Sequence, residues 1–289
     1  MLCYTEARRS LSLKGRLGGP QAEGGTHLRG GGPWAGDGIG AKGNAMRNKE
    51  AWAPTKFVPV GDRWRGSRDP KELAVASRLI GDLMARRYQR AVETYASGQL
   101  IDLGCGKVPL YGMYRSKVSH VICIDWEKSH DGADFVDHVM DMNGRLDLPE
   151  ESFDTVLATD VLEHIRNADL FWSEMARICK PGGHIIVGTP FFYWLHEKPY
   201  DYARYTKYDL MFRCERNGLH VISLKEYGGA PEVLADLILK QFRKRRRLCA
   251  WLDGTFRLIL RMRACRRYSS RTKEEFPLGY CLVAKKTGP

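Results

Sequence analysis

The chain has 289 residues, which is long enough for one large domain with a substantial buried core. Hydrophobic residues make up 43% of it and charged residues 28%, and this balance excludes a wholly disordered chain or a collagen-like repeat. No apolar run reaches the roughly 18 residues of a membrane-spanning helix, and the first residues lack the pattern of a secretory signal. The 8 cysteines form no C-x-x-C pair, so we expect reduced thiols, no metal site and a cytoplasmic protein.

The positive charge is concentrated in one segment. The whole chain has a net charge of +12, and residues 231–272 alone hold 12 Lys or Arg against 3 Asp or Glu. The remainder is close to balanced, so the basic character indicates a local surface and not a property of the whole fold.

Residues 1–45 differ in composition from everything that follows. They contain 12 glycines and neither a helical nor a strand-like apolar period. Such a segment buries too little apolar surface to offset its ordering entropy, so we expect it to be disordered. Two explanations remain open: a genuine flexible tail, or a reading frame extended upstream of a natural start at Met46.

The first helix is predicted from an Asp69-Pro70-Lys71-Glu72 opening, apolar residues spaced three and four apart, and a stop at Gly98. Further helices are predicted over 168–180 and 207–217, the latter opened by a capping box of Thr206 and Asp209. Seven short apolar runs predict strands: 99–103, 121–124, 135–139, 155–158, 184–188, 220–224 and 280–284. Strands that alternate with helices predict an α/β fold with a parallel sheet covered on both faces.

The chain divides into five predicted segments. The tail over 1–45 is followed by an N-terminal extension and helix over 46–98 and by a core over 99–230. A basic helical insert over 231–276 then precedes the last strand and tail over 277–289.

The first strand ends in a glycine-containing turn, Asp102-Leu103-Gly104-Cys105-Gly106. Glycines allow a sharp turn and a close approach of a ligand to the backbone, although a tight turn without a ligand would look the same. A nicotinamide site would place a third glycine where Pro109 stands, which counts against that cofactor. The next strand ends in Asp125, whose spacing suits hydrogen bonds to a ribose diol, with a helix cap as the alternative.

Three further motifs complete a recognisable set. They are Asp141-Met142, the segment from Phe153-Asp154 to Leu162-Glu163-His164, and Lys180-Pro181-Gly182-Gly183. Together with the glycine turn and Asp125 they resemble the class I S-adenosylmethionine-dependent methyltransferases, particularly the ubiquinone/menaquinone-type subgroup known as methyltransferase type 11. The resemblance covers about residues 100–189.

The resemblance implies a three-layer Rossmann-like fold with a seven-stranded, mostly parallel sheet and one antiparallel strand. It also implies S-adenosylmethionine as the cofactor. The residues that would contact it are Asp102, Gly104, Cys105 and Gly106 at the methionine part, Asp125 at the ribose, Trp126, Asp141 and Met142 at the adenine, and Asp160 and Val161 closing the pocket. The chain departs from many members at Val108, where they carry another glycine.

The loop over 189–206 is rich in aromatic and hydrogen-bonding residues and follows the fifth predicted strand. Its segment from Pro199 to Thr206 resembles one in bacterial methyltransferases associated with surface glycans and glycolipids. We expect His196 to act as a base and Arg204 to hold an anionic acceptor, with His164 as a competing base. The alternative is a lid that packs its own aromatic residues.

The basic insert combines an Arg243–Arg247 run with Trp, Phe and Leu residues on helical segments. This pattern suits peripheral contact of 231–272 with an anionic membrane; nucleic acid and a solvated helical face are the alternatives.

Taken together, the motifs and the resemblance predict a methyltransferase acting on a hydroxyl of a small molecule, glycan or glycolipid. The alternatives are an RNA methyltransferase and a non-catalytic S-adenosylmethionine-binding protein; the acceptor and the oligomeric state are not indicated.

Overall fold

The computed structural model describes residues 46–127 and 134–288, so the predicted tail over 1–45 lies outside the described residues. The strands are β1 Phe57–Val60, β2 Arg63–Gly66, β3 Gly98–Leu103, β4 Val118–Asp125, β5 His138–Val139, β6 Phe153–Thr159, β7 Cys179–Pro190, β8 Leu219–Tyr227 and β9 Gly279–Lys286. The α-helices are α1 Arg78–Tyr95, α2 Tyr111–Tyr114, α3 Ala168–Ile178, α4 Lys207–Arg216, α5 Ala230–Gln241, α6 Arg246–Arg261 and α7 Arg263–Thr272.

Seven of these strands form one sheet in the order β5-β4-β3-β6-β7-β9-β8. Only β9 runs against its neighbours in this sheet, pairing antiparallel with both β7 and β8. The predicted mostly parallel sheet with one antiparallel strand is therefore confirmed. The strand order reverses between β3 and β6, and ligands of open α/β sheets bind at the carboxyl ends of strands beside such a reversal.

Both faces of the sheet are buried, which explains the continuous apolar runs that marked its strands. In β3, Ile101 packs in one core with α3 and α4, whereas Leu100 packs in a second core with α1 and α2. The same alternation occurs in β4 and β7, because successive side chains of a strand point to opposite faces.

The predicted start of the first helix at Asp69 is wrong. The segment after Asp69 is a turn, in which the carboxylate of Asp69 accepts the N–H of Lys71 and its carbonyl accepts the N–H of Leu73. Ala74 is then extended, and a 3-10 turn precedes α1. This break allows Leu73 to pack against Gly66 and Gly81, where an added Cβ would lie 2.8 Å from its Cδ2 atom.

The hairpin of β1 and β2 was not predicted from the sequence. Its second strand packs along α1, where the side chain of Gln89 accepts the N–H of Trp64 and donates to the carbonyl of Asp62. The hairpin sets the position of Lys56, immediately before β1. The third predicted strand is only the two residues of β5, and Gly98 begins β3 while Ala96 caps α1.

The insert between β8 and β9 consists of α5, α6 and α7. It is attached through a small third core in which Leu239 and Cys249 pack with Ala76 and Leu79 near the start of α1. None of the helices in the described ranges is both long and apolar enough to cross a bilayer.

Candidate functional site

A cavity of about 140 Å³ lies where the strand order reverses. Eight of the ten predicted cofactor residues contribute to its wall. The residues that line the cavity are Gly104, Gly106, Asp125, Trp126, Asp141, Met142, Asn143, Asp160, Val161, His164, Ile165, Glu197 and Tyr200. We call it the donor cavity, because it collects the residues predicted to hold the methyl donor.

The backbone conformation of the turn after β3 explains why a glycine stands at position 104. Gly104 has a φ of +72°, and a Cβ there would come within 2.5 Å of the Val161 side chain, so no other residue fits. Val108 has a φ of +50° although it is β-branched and fully buried. Its carbonyl accepts the indole N–H of Trp52 at 3.1 Å, so contacts from the N-terminal extension hold this strained turn.

Two carboxylates lie in the wall of the donor cavity. Asp125 is buried at the end of β4 and accepts the N–H of Gly106 and its own neighbour Trp126, each at 2.8 Å. Asp141 is exposed, and hydrogen bonds from the backbone and side chain of Asn143 lower the pKa of its carboxyl. The hydrogen bonds that Asp141 accepts favour its ionised, hydrogen-bond-accepting form.

A wider cavity of about 490 Å³ adjoins the donor cavity and shares five lining residues with it, among them Trp126, Asp141 and His164. The ring of Tyr200 meets Trp126 edge to face, with centroids 4.8 Å apart. Tyr200, a residue of the aromatic loop over 189–206, therefore lies at the donor side, and this loop covers that side.

The other two predicted cofactor residues, Asp102 and Cys105, are not among the residues that line the donor cavity. Asp102 is buried and accepts the hydroxyl of Tyr114 at 3.2 Å, and burial raises the pKa of its carboxyl to about 7. A hydrogen bond with Cys123 and burial together raise the pKa of the Cys105 thiol well above its usual value. Both residues support the turn from within the second core.

Another cavity, of about 170 Å³, meets the donor cavity at Asp160 and Glu197, which line both. Its other lining residues are Lys56, Leu73, Ser77, Ile80, Gly81, Met84, Glu163, Pro190, Tyr193, His196 and Tyr227. We call it the second cavity. Six of these residues come from the N-terminal extension, which sequence reasoning had not connected with the site.

Asp160 stands at the junction of the two cavities with a φ of +57°. Its carboxylate accepts the Tyr88 hydroxyl at 2.8 Å and the Lys56 Nζ at 2.7 Å. Burial opposes the charge of Lys56, but the adjacent carboxylate of Asp160 prevails and raises the pKa of the lysine. A non-glycine residue in this conformation persists only where surrounding contacts hold it, and strain of this kind clusters at functional sites.

A buried carboxyl and two imidazoles lie together behind this junction. Glu163 is fully buried, and burial together with the charge of Asp160 raises its pKa well above the usual value. Its Oε1 atom lies 3.7 Å from His196 Nε2 and 3.9 Å from His164 Nε2. Within the described residues, Glu163 Oε1 and His164 Nε2 are buried without a hydrogen-bond partner. The three side chains could hold a cation, whereas no metal site had been predicted.

His196 forms a dyad with Asp201. The Nδ1 atom of His196 lies 3.0 Å from Asp201 Oδ2, which also accepts the His196 backbone N–H at 2.9 Å. Although burial opposes it, hydrogen bonding by Arg204 lowers the pKa of Asp201 to about 2, so this carboxylate is ionised and only accepts. Burial lowers the pKa of His196, which is therefore neutral with its proton on Nδ1 and its lone pair on Nε2.

Arg204 makes contacts within its own loop. Its guanidinium binds both carboxylate oxygens of Asp201 and donates to the carbonyls of Ala203 and Trp194. These bonds occupy the planar fork that was expected to hold an anionic acceptor. His164 Nδ1 is 2.8 Å from the carbonyl of Tyr200, which assigns its proton to Nδ1, and His164 lines the donor cavity.

Comparison with known proteins gives consistent similarities. A family described as a methyltransferase domain matches residues 101–187. The chain is 30% identical over 138 residues to phosphatidylethanolamine N-methyltransferase of Cereibacter sphaeroides, covering 43% of this chain and 68% of that protein. It is 28% identical over 155 residues to ubiquinone biosynthesis O-methyltransferase of Bradyrhizobium sp. (strain ORS 278), covering 46% of this chain but only 59% of that relative.

The fold has the same kind of match among solved structures. Geranyl diphosphate C-methyltransferase from Streptomyces coelicolor A3(2) superposes with a TM-score of 0.50 at 15% identity, covering 81% of this chain and 91% of that chain. At this identity the likeness concerns the fold alone.

Proposed function

We propose that this chain, which belongs to the class I S-adenosylmethionine-dependent methyltransferases, transfers a methyl group to a hydroxyl bound in the second cavity. The observation that carries the proposal is the junction at Asp160 and Glu197. There the donor cavity meets a separate cavity that has a neutral imidazole, His196, in its wall. Two ligands bound side by side across such a junction are positioned to react.

The donor cavity fits S-adenosylmethionine by the chemistry of its wall. Asp125 suits the ribose hydroxyls, Asp141 and Met142 suit the adenine, and Gly104 and Gly106, which line the cavity without side chains, suit the methionine part. When bound, the cofactor supplies an activated methyl group, so this chain has to position the acceptor, exclude water and remove a proton. Trp126 and Tyr200 cover the site on one side.

In this proposal His196 takes the proton of the acceptor hydroxyl. Its Nε2 lone pair is available because Asp201 holds the proton on Nδ1. Arg204 is then a positioning residue, which fixes Asp201 and through it the imidazole. Lys56 would stay charged beside Asp160, and Glu163 would stay protonated, so the two carboxyls do not repel each other at the junction.

An acceptor with an apolar body suits the second cavity best. Ile80, Met84, Leu73 and Pro190 contribute apolar side chains to its wall. Asp160 and Glu197 lie at the junction with the donor cavity, and Lys56 pairs with Asp160 there. The relatives' names connect them with ubiquinone biosynthesis and with phosphatidylethanolamine, which supports an acceptor of the lipid class for this chain. A small molecule or the polar end of a glycolipid stays within this proposal.

We further propose that α6 contacts an anionic membrane surface. Trp251 and Leu258 lie on one side of the helix and are 64% and 69% exposed, and Met262, which follows the helix directly, is 59% exposed. The exposed cationic run that begins at Arg243 lies at the start of the same helix. An exposed apolar row beside clustered Arg and Lys is typical of helices that lie in the membrane interface.

The test is to incubate the full chain with methyl-labelled S-adenosylmethionine and separate fractions of lipid, glycan, RNA and small molecules. Label in an apolar, hydroxyl-bearing product that disappears in His196→Ala supports the proposal. Label in RNA would identify the alternative enzyme. Cofactor binding by calorimetry without label in any fraction would identify a non-catalytic binding protein.

A further inference from the structure

The largest cavity among those found in the described residues lies away from the two that meet at Asp160. It has a volume of about 710 Å³ and runs between α1, the end of β8, the beginning of α5, and helices α6 and α7. It is lined by Leu79, Asp82, Leu83, Arg86, Arg87, Glu226, Gly228, Glu232, Arg257, Leu260, Arg261, Arg266, Ser269, Ser270 and Lys273. We call it the basic cleft. Its volume falls within the usual range of small-molecule sites.

Six cationic side chains line the cleft against three acidic ones. Two of the acids are already engaged: Asp82 pairs with Arg68 and Arg257, and Glu232 accepts the N–H of Gly229. Apart from Arg257, the cationic residues of the cleft have no carboxylate within ion-pair distance in the described part of the chain. These residues are Arg86, Arg87, Arg261, Arg266 and Lys273.

The pKa of Arg87, one of these cleft residues, is affected by burial and by neighbouring cations. Burial and the neighbouring charge of Arg90 lower the pKa of its guanidinium, against a smaller opposing attraction from Glu226. Arg86, which lines the cleft with Arg87, adds a smaller repulsion. An anion bound in the cleft would offset both repulsions, and guanidinium forks bind phosphate oxygens in pairs.

The rest of the lining narrows the class of anion. Leu79, Leu83 and Leu260 supply apolar surface, and Ser269 and Ser270 are also among the lining residues. No aromatic side chain occurs among the lining residues that the structure describes, whereas single-stranded nucleic acids are usually held by stacking on aromatic rings. The cleft thus suits a compact anion attached to hydrocarbon better than it suits RNA.

We infer that the basic cleft binds the phosphate group of an amphiphilic phosphate ester, with its apolar part against the three leucines. This site is separate from the cavities of the proposed methyl transfer and does not depend on that reaction. A lipid headgroup and a soluble phosphate share the chemistry, so the experiment has to distinguish them.

Calorimetry on the full chain would compare dihexanoyl phosphatidic acid, kept below its micelle concentration, with glycerol 3-phosphate and inorganic phosphate. The variant is Arg86→Gln with Arg266→Gln, because both side chains are exposed and their loss should not affect folding. Its matched control is Lys49→Gln with Lys117→Gln, which removes the same charge from exposed positions outside both the cleft and the cationic run over 243–247. Arg87→Lys provides a second variant that keeps the charge and loses the planar fork.

We expect the short-chain phosphatidic acid to bind at least about tenfold more tightly than glycerol 3-phosphate. The double variant should weaken that binding by at least about tenfold, Arg87→Lys should weaken it less, and the control should leave it unchanged. Equal affinity for all three phosphates would contradict the inference that the ligand is amphiphilic. Equal losses of affinity in the double variant and the control would contradict the inference that the ligand binds in the basic cleft. Tighter binding of single-stranded RNA that is lost in the same variant would assign the cleft to nucleic acid instead.

Discussion

The Nζ atom of Lys56 lies 2.7 Å from Oδ2 of Asp160, joining residues that are 104 positions apart. Asp160 ends the strand-to-loop turn at the donor cavity, and Lys56 precedes the hairpin of the N-terminal extension. This ion pair therefore connects the part of the chain with the family motifs to a part that carries none of them. It also forms part of the wall between the two cavities.

Replacing Lys56 with Gln should destabilise the fold. Among the described residues, the change leaves the Tyr88 hydroxyl as the remaining side-chain partner of the Asp160 carboxylate, a loss of about 1–3 kcal/mol in the free energy of unfolding. Urea unfolding measures it, with Lys49→Gln at an exposed position as the matched control. Lys56→Arg should recover part of the loss, and an unchanged midpoint for Lys56→Gln would contradict the pairing.

His196→Ala should reduce methyl transfer by roughly 100-fold while the dissociation constant of the donor stays within about twofold. The wild-type rate should fall as the pH drops through a value below 6.5, because burial lowers the pKa of this imidazole and only its neutral form accepts a proton. Lys198→Ala, an exposed position in the same loop, is the control. A collapse of donor binding together with turnover would show that the loop is a structural lid.

Arg204→Ala should also reduce methyl transfer by roughly 100-fold, while the dissociation constant of the donor stays within about twofold. We expect this loss to act through His196, and a double-mutant cycle tests that. Arg204 binds Asp201, and Asp201 orients His196, so the effects of the Arg204 and His196 changes should not add. Additive losses would instead support the original expectation that Arg204 holds the acceptor directly.

Glu163 should make the stability of the protein depend on pH above its usual pKa of 4.5. Its pKa is raised in the folded chain, so the folded state retains a proton that the unfolded state loses, and the free energy of unfolding falls as the pH rises from 4.5 through the folded pKa. Glu163→Gln should make this fall smaller, because the buried carboxyl of Asp102 contributes in the same direction, whereas the exposed Glu215→Gln should keep it in full. Urea midpoints across the pH range measure it, and parallel curves for wild type and Glu163→Gln would contradict it.

Asp125→Ala should weaken binding of S-adenosylmethionine by at least about tenfold. It removes charge-assisted hydrogen bonds to the ribose, each contributing about 1.5–3 kcal/mol, and it also releases the N–H groups of Gly106 and Trp126. Calorimetry on the folded variant tests this, with Asp147→Ala at an exposed position as the comparison. Unchanged affinity would remove Asp125 from the ribose site.

Neutralising Lys244, Arg245 and Arg247 to Gln should reduce sedimentation with phosphatidylglycerol vesicles and leave donor binding intact, since each basic residue near such a surface contributes about 1 kcal/mol. Trp251→Ser should reduce it as well, because that side chain is 64% exposed on α6. The control replaces Lys49, Lys117 and Lys225, which are exposed elsewhere. Sedimentation equal to wild type in the first variant would contradict membrane contact.

The resemblance to a known family implied the single antiparallel strand, whereas local patterns in the sequence were enough to predict the strands themselves and the glycine turn at Gly104. These features depend on residues close together in the chain: apolar runs bounded by turns, and a backbone conformation that only glycine adopts beside Val161. The start of α1 was missed because Leu73 packs against Gly66 and Gly81, a contact between segments that no local pattern reveals.

Only the tertiary structure decided what surrounds the predicted residues. Periodicity marked Ile80 and Met84 as one apolar stripe, and the fold turned that stripe into a wall of the second cavity. From the sequence, the guanidinium of Arg204 was expected to be available to an acceptor, but in the fold it binds the carboxylate of Asp201. Charge, burial and the pKa values of buried groups depend on neighbours brought together over long separations in the chain, so the sequence determined which chemical groups are present and the fold determined which of them can react.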